Sequence, residues 1–182
     1  MFVVLVGVAF IAACAVTWMI VRNKRSEALK TRFGSEYDHA VTVAGSRSGA
    51  EADLNSRTKR VKLLDIHPLS SGDHDRFADR WRATQASFVD DPGVAVTQAG
   101  TLVEEVMRAR GYPVSDFNQR AADLSVDHPR FVENYREARE LSVANTRGAA
   151  STEDLRRATV HYRALFEDLL EIAEPKAVEV RR

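Results

Sequence analysis

Hydrophobic positions along this chain fall into two patterns. The first is an unbroken run. From Phe2 to Val21 there are twenty consecutive residues without a charge and without a polar face. As a helix rising 1.5 Å per residue such a run covers roughly 30 Å, the thickness of a bilayer's hydrocarbon core. A helix also satisfies its own backbone hydrogen bonds, which lipid cannot do. The run therefore predicts a transmembrane anchor over residues 1–21, its span ending at Phe2 and Val21.

The second pattern is helical periodicity, and it fills the chain from residue 70 onward. Phe77, Trp81, Thr84 and Phe88 recur at i, i+4, i+7 and i+11, with Ser70 and Asp73 as a capping box before them. Asp91 and Pro92 read as the cap and first position of the next helix, whose apolar face is Val96, Ala99, Leu102, Val103, Val106 and Met107. Gly111 is its expected stop, and Pro113 blocks continuation. A short helix starting near Ser115 holds Phe117, Ala121 and Leu124.

Asp127 or His128 is the expected cap of a further helix, with Pro129 in its first turn and Phe131, Val132, Tyr135, Ala138 and Leu141 on one face. Gly148 ends that helix. The last starts at Ser151-x-x-Asp154, carries Leu155, Ala158, Tyr162, Leu165, Phe166, Leu169, Ile172 and Ala173, and closes at Pro175. No period-2 alternation competes. The expected fold is all-α: a compact bundle of four main helices and one short helix over residues 70–174, with a tail at 175–182. Phe77, Trp81, Val106, Tyr135, Leu165 and Phe166 are its expected core.

Residues 22–69 join anchor to bundle as a basic juxtamembrane segment and a polar helical stalk. Ser35 to Asp38 and Ser48 to Glu51 have the spacing of helix starts, and Gly45 separates them. The second stalk helix is polar nearly all round, with only Leu54, Val61 and Leu64 at loosely heptad spacing, so it reads as a solvated connector rather than one seam of a weak coiled coil.

Charge sets the orientation. Arg22, Lys24, Arg25, Lys30 and Arg32 crowd the C-terminal side of the apolar run against a single Glu27. The positive-inside bias then leaves the N-terminus outside and everything after residue 21 in the cytoplasm. The same cations suit anionic headgroups, and Trp18 lies at the level where indoles are favoured. A cleavable signal peptide is disfavoured, because nothing basic but the amino terminus precedes the run and the run is long. Ile11-Ala12-Ala13-Cys14 resembles a lipoprotein cleavage box, yet the chain stays apolar for seven residues beyond Cys14.

Composition narrows the function. The 26 Lys and Arg balance the 26 Asp and Glu, which excludes the basic surplus of a nucleic-acid binder. With one cysteine there is no intrachain disulfide and no cysteine-based metal site. His39, His67, His74, His128 and His161 include no i, i+4 pair of zinc ligands; His74 with Asp75 and Asp79 comes nearest. Asp90, Asp91 and Asp127 offer carboxylates for acid–base work, but capping explains Asp91 and Asp127. "FVDDPGVAV" and "SVDHPRFV" echo one another because both start helices with Asp and Pro. There is no nucleophile elbow, phosphate loop or dinucleotide fingerprint. No enzyme activity, cofactor or metal is expected.

The stretches "RWRATQASFVDDPGVAV", "LVEEVMRARGYPVSDF", "AADLSVDHPRFVENYREA" and "STEDLRRATVHYRALFEDLLE" resemble a family of uncharacterised bacterial proteins described as hypothetical, secreted or membrane proteins. The resemblance covers Leu69 to Glu171 and implies no activity.

The expectation is thus a single-pass, membrane-anchored cytoplasmic helical domain. Its partners are the bilayer and an unidentified protein, bound through Asp127, His128, Tyr135, His161, Tyr162 and Arg163. The alternatives are an envelope-facing, secreted or lipid-anchored domain that binds a small ligand, and an enzyme using a carboxylate with His128 or His161.

Overall fold

The computed structural model describes the backbone of residues 2–113 and 116–170, and the side chains within them from Val16 onward. Eight helices and no strand occur among the described residues: α1 (Phe2–Phe33), α2 (Ser35–Ala44), α3 (Arg47–Val61), α4 (Ser71–Ser87), α5 (Pro92–Ala109), α6 (Phe117–Asp127), α7 (Val132–Thr146) and α8 (Thr152–Leu170). They divide into two compact units, Met1–Ser56 and Arg57–Arg182.

In the first unit α1 is one uninterrupted helix. Its side chains from Val16 to Arg25 are all exposed, and its packed part begins at Ser26 and reaches Phe33. Beyond Gly34, α2 buries Glu36, Tyr37 and Ala40. α3 buries Ala50 and Leu54 in this unit. A polar knot holds the packed part: Tyr37 donates to Glu51 Oε1 at 3.0 Å, and Ser26 Oγ donates to the same oxygen while lying 3.3 Å from the Tyr37 hydroxyl. These bonds hold the Glu51 carboxyl below its ordinary range, Ser26 foremost, with Tyr37, Arg22 and Arg47 adding to it against a smaller cost of burial.

Two expectations for the stalk are corrected. α3 is not a solvated connector, because Ala50, Leu54, Arg57 and Val61 make a buried i, i+4, i+7, i+11 stripe. Small Ala50 and long-stemmed Arg57 complete that stripe, and neither counts as a large apolar residue. Nor do Ser35 and Ser48 cap their helices: Gly34 occupies the N-cap of α2, and Ser46 Oγ accepts from the Gly49 amide at 3.2 Å. Gly45 does end α2.

The second unit is the expected bundle, with α4, α5, α7 and α8 as main helices and α6 as the short one. α5 packs on α4, α7 and α8, and α7 packs on α8. Phe77, Trp81, Val106, Tyr135, Leu165 and Phe166 all belong to one buried cluster. Trp81 stacks on Phe166 with ring centroids 4.5 Å apart, and Phe117 tilts against Tyr135 at 4.9 Å. Each large side chain so buried contributes about 1.5–3 kcal/mol before its loss of entropy. Within this unit the last turn of α3 is tied to α6. Arg60 donates from Nε at 2.8 Å to Asp123 Oδ1, Gln119 donates to the same oxygen at 2.9 Å, and Arg57 donates to Ser125 at 3.3 Å.

Caps set the helix limits. Ser70 Oγ accepts from the Asp73 amide at 3.1 Å, Asp91 from the Val94 amide at 3.0 Å, and Asp116 from the Gln119 amide at 3.1 Å. Ser151 and Asp154 form a reciprocal capping box, with bonds of 3.0 and 3.2 Å. Past the C-cap Arg110, Gly111 takes φ +94°, and Tyr112 returns its amide to the Met107 carbonyl at 3.0 Å. A Cβ on Gly111 would lie 2.1 Å from the Asp65 carbonyl oxygen, so the turn requires glycine on both counts.

The start of α7 differs from expectation. Asp127 is the last residue of α6, His128 is that helix's C-cap, and Phe131 occupies the N-cap of α7 without a side-chain bond. The His128 amide continues the α6 ladder to the Leu124 carbonyl at 2.8 Å. Pro129 therefore sits in the connecting turn, not in the first turn of α7. Ser115, Ile172, Ala173, the stop at Pro175 and the tail at 175–182 lie outside the described residues, as do the side chains of residues 1–15.

Candidate functional site

The exposed part of α1 stands apart in its chemistry. Val16, Trp18, Met19, Ile20 and Val21 are 42–63 % exposed, a cluster of large apolar side chains left open among the described residues. Water-exposed runs of this kind mark a surface that something else covers. Arg22, Lys24 and Arg25 follow directly, and the Arg22 guanidinium lies over the Trp18 ring at 5.2 Å. Among the described residues no helix is long and apolar enough to cross a membrane. The expected span, Phe2 to Val21, falls for the most part on side chains outside them.

The six residues expected to form an interaction surface do not form one patch. Tyr135 and Tyr162 are 2 % exposed and lie in the core. Burial, then the neighbouring Tyr135, pushes the Tyr162 hydroxyl up to about 12, against a hydrogen bond with Ser142 that works the other way. Tyr162 reaches α5 at Gly100, where a Cβ would sit 3.0 Å from the phenol oxygen; the glycine makes room for the ring. His161 Nδ1 lies 3.2 Å from Asn134 Oδ1, and its Nε2 lies 2.8 Å from Glu137. Arg163 pairs with Glu167 at 2.7 Å on the exposed side of α8.

Asp127 and His128 belong to a different cluster, at the end of the bundle where α5, α6 and α8 finish. The Tyr112 hydroxyl donates to Asp127 Oδ2 at 3.1 Å, and His128 Nδ1 pairs with Asp168. The Tyr112 and His128 rings lie 6.4 Å apart, and Arg110 donates to the Leu169 carbonyl at 3.0 Å. Burial, then the Asp127 charge, raises the Tyr112 hydroxyl far above its ordinary range. Asp168 and Arg110 carry no sequence signal for this meeting, since 40 residues separate His128 from Asp168. Hydrophobic Tyr112 just after Gly111 was the one available hint, because that position packs back on its helix. His128 and His161 thus have separate carboxylate partners, Asp168 and Glu137.

Of the carboxylates weighed for acid–base work, Asp91 caps α5 and Asp127 accepts from Tyr112. His74 lies 3.0 Å from Asp75, while Asp79 pairs with Arg82. Among the described residues no group of three His, Cys, Asp or Glu is placed to hold a metal.

An open groove of about 410 Å³ runs between α4 and α5, lined by Arg80, Ala83, Thr84, Thr97, Gln98, Thr101 and Leu102. Thr97 and Thr101 spend their hydroxyl protons on the carbonyls one turn back, at 3.0 and 3.1 Å. They face the groove as acceptors. Arg80 is engaged by Glu105, which holds that carboxyl below its ordinary range. No histidine and neither Asp91 nor Asp127 lines the groove.

Compared with protein-family models, with curated proteins and with solved structures, the chain matches none.

Proposed function

We propose that this protein is a single-pass, membrane-anchored helical domain whose bundle faces the cytoplasm and serves as an interaction or scaffold module. The observation that carries the reading is the uncovered apolar segment Val16–Val21, stepping directly into Arg22, Lys24 and Arg25. Exposing five large apolar side chains together is costly in water and costs nothing in hydrocarbon. The residues before it continue the same helix without a charge. The cationic step orients the span with its C-terminal side inward.

Extraction of membranes at alkaline pH tests the anchor. The full chain is expected to stay with the lipid pellet, and a variant carrying Val16→Lys and Met19→Lys to be released. Release of the unaltered chain contradicts the reading. Crosslinking in native membranes tests the scaffold role, which fails if no partner is recovered reproducibly.

The α4–α5 groove favours a second reading, in which the bundle binds a small neutral polar ligand. Its lining offers threonine acceptors, the Gln98 amide and a guanidinium already neutralised by Glu105. A Thr101→Val substitution that leaves partner crosslinking unchanged but abolishes ligand-induced thermal shifts in a metabolite screen would favour it.

A further inference from the structure

We infer that the face of α1 bearing Trp18, Arg22 and Arg25 is a binding surface for the headgroups of anionic phospholipids. This rests on the anchor reading above and specifies the lipid the anchor selects. Positions 18, 22 and 25 stand at i, i+4 and i+7, which a helix gathers into an arc of about 60° within two turns. All three side chains are exposed. The arc borders the packed face that begins at Ser26, so the arginines stay at the helix edge rather than beneath the protein.

The stacking of Arg22 over Trp18 at 5.2 Å fixes a guanidinium at the level of the indole. Indoles settle at the interface where phosphates lie, so the charge is delivered to headgroup depth. Guanidinium groups bind phosphate oxygens through two parallel N–H donors, which suits a phosphodiester better than a lone ammonium does. The two acids nearby do not fill this role. Glu27 stands on another face and bonds Lys30 at 3.2 Å, while Glu51 Oε1 is taken by Ser26 and Tyr37. Glu51 does feel Arg22, and so offsets part of its charge. Arg25 has no carboxylate partner among the described residues. A free nucleic-acid phosphate is the poorer fit, because the chain as a whole is neutral and this stripe adjoins an apolar helix surface.

The test uses the full chain in phosphatidylcholine nanodiscs that contain a minor fraction of acyl-brominated lipid. The brominated lipid is phosphatidylglycerol in one set and phosphatidylcholine in the other, and Trp18 fluorescence is recorded. Trp81 is 5 % exposed inside the bundle and supplies an unquenched background. Brominated phosphatidylglycerol is expected to quench Trp18 about twofold more than brominated phosphatidylcholine at low salt, an excess that shrinks as salt is raised. In the Arg22→Gln/Arg25→Gln variant the excess disappears while quenching by the neutral lipid is unchanged. Equal quenching of the unaltered chain by both lipids overturns the headgroup site and leaves the anchor standing. An excess that survives the double substitution removes these residues from the role. Absence of quenching by either lipid overturns the anchor and the headgroup site together.

Discussion

In the bundle, a tryptophan stacked on a phenylalanine belongs to one large buried cluster rich in Val, Leu and Ala, with a few buried polar side chains such as Asp123, Ser125 and Ser142 beside it. The N-terminal unit buries Phe33, Ala40, Ala50 and Leu54 as well, but adds a part-buried hydroxyl–carboxylate knot of Ser26, Tyr37 and Glu51, with Glu36 buried close by in sequence. The first arrangement draws its stability from area removed from water, which is insensitive to protonation. To such burial the second adds hydrogen bonds, each worth little net but expensive to break when one partner stays buried. The N-terminal unit thus joins specific polar bonds to its apolar burial.

Phe166→Ala should break the bundle most. It removes one half of the Trp81 stack at a fully packed site and is expected to cost about 3–5 kcal/mol, read from denaturant unfolding followed by Trp81 fluorescence. Gly111→Ala comes next at more than about 1 kcal/mol, because it adds a Cβ at a positive φ and against the Asp65 carbonyl.

Tyr37→Phe tests the other side of the comparison. It removes one donor of the knot and should cost about 1 kcal/mol. Hydrogen exchange of the amides between residues 26 and 51 reports it, while the bundle amides keep their protection. The knot also carries a pH signature. The Glu51 carboxyl is lower in the folded chain than in the unfolded one, so its contribution is present above the ordinary glutamate range and is lost as pH falls through the folded value. Glu51→Gln should flatten that acid dependence in the N-terminal unit and leave the bundle's profile unaltered. Arg163→Ala, which breaks only an exposed pair on α8, should change bundle stability by less than about 0.5 kcal/mol.

The same contrast explains what could be read from the sequence. Trp81, Val106 and Phe166 announce their helices through periodic apolar stripes, and Ser70, Asp91 and Ser151 announce their starts, because caps and stripes are local properties. α3 was opaque for the opposite reason. Its buried stripe includes Ala50 and Arg57, and what buries an arginine is a partner such as Ser125, 68 residues away. The start of α7 was misplaced because Asp and Pro signal a cap equally well when, as at Asp127 and His128, the preceding helix has one more turn to finish. The His128–Asp168 and Tyr112–Asp127 pairs lie beyond any spacing rule. Only the closing of α5, α6 and α8 at one end of the bundle brings them together. Two of the six surface residues proved to be core, since a tyrosine's apolar body can be buried whenever its hydroxyl finds a partner.

Paired reporter fusions to the end of the full chain, one with alkaline phosphatase and one with green fluorescent protein, test the central claim most directly. A membrane-bound protein with a fluorescent green fusion and an inactive phosphatase fusion is the result expected of an anchor that keeps the bundle in the cytoplasm. An active phosphatase with a dark green fusion would place the bundle outside and contradict it.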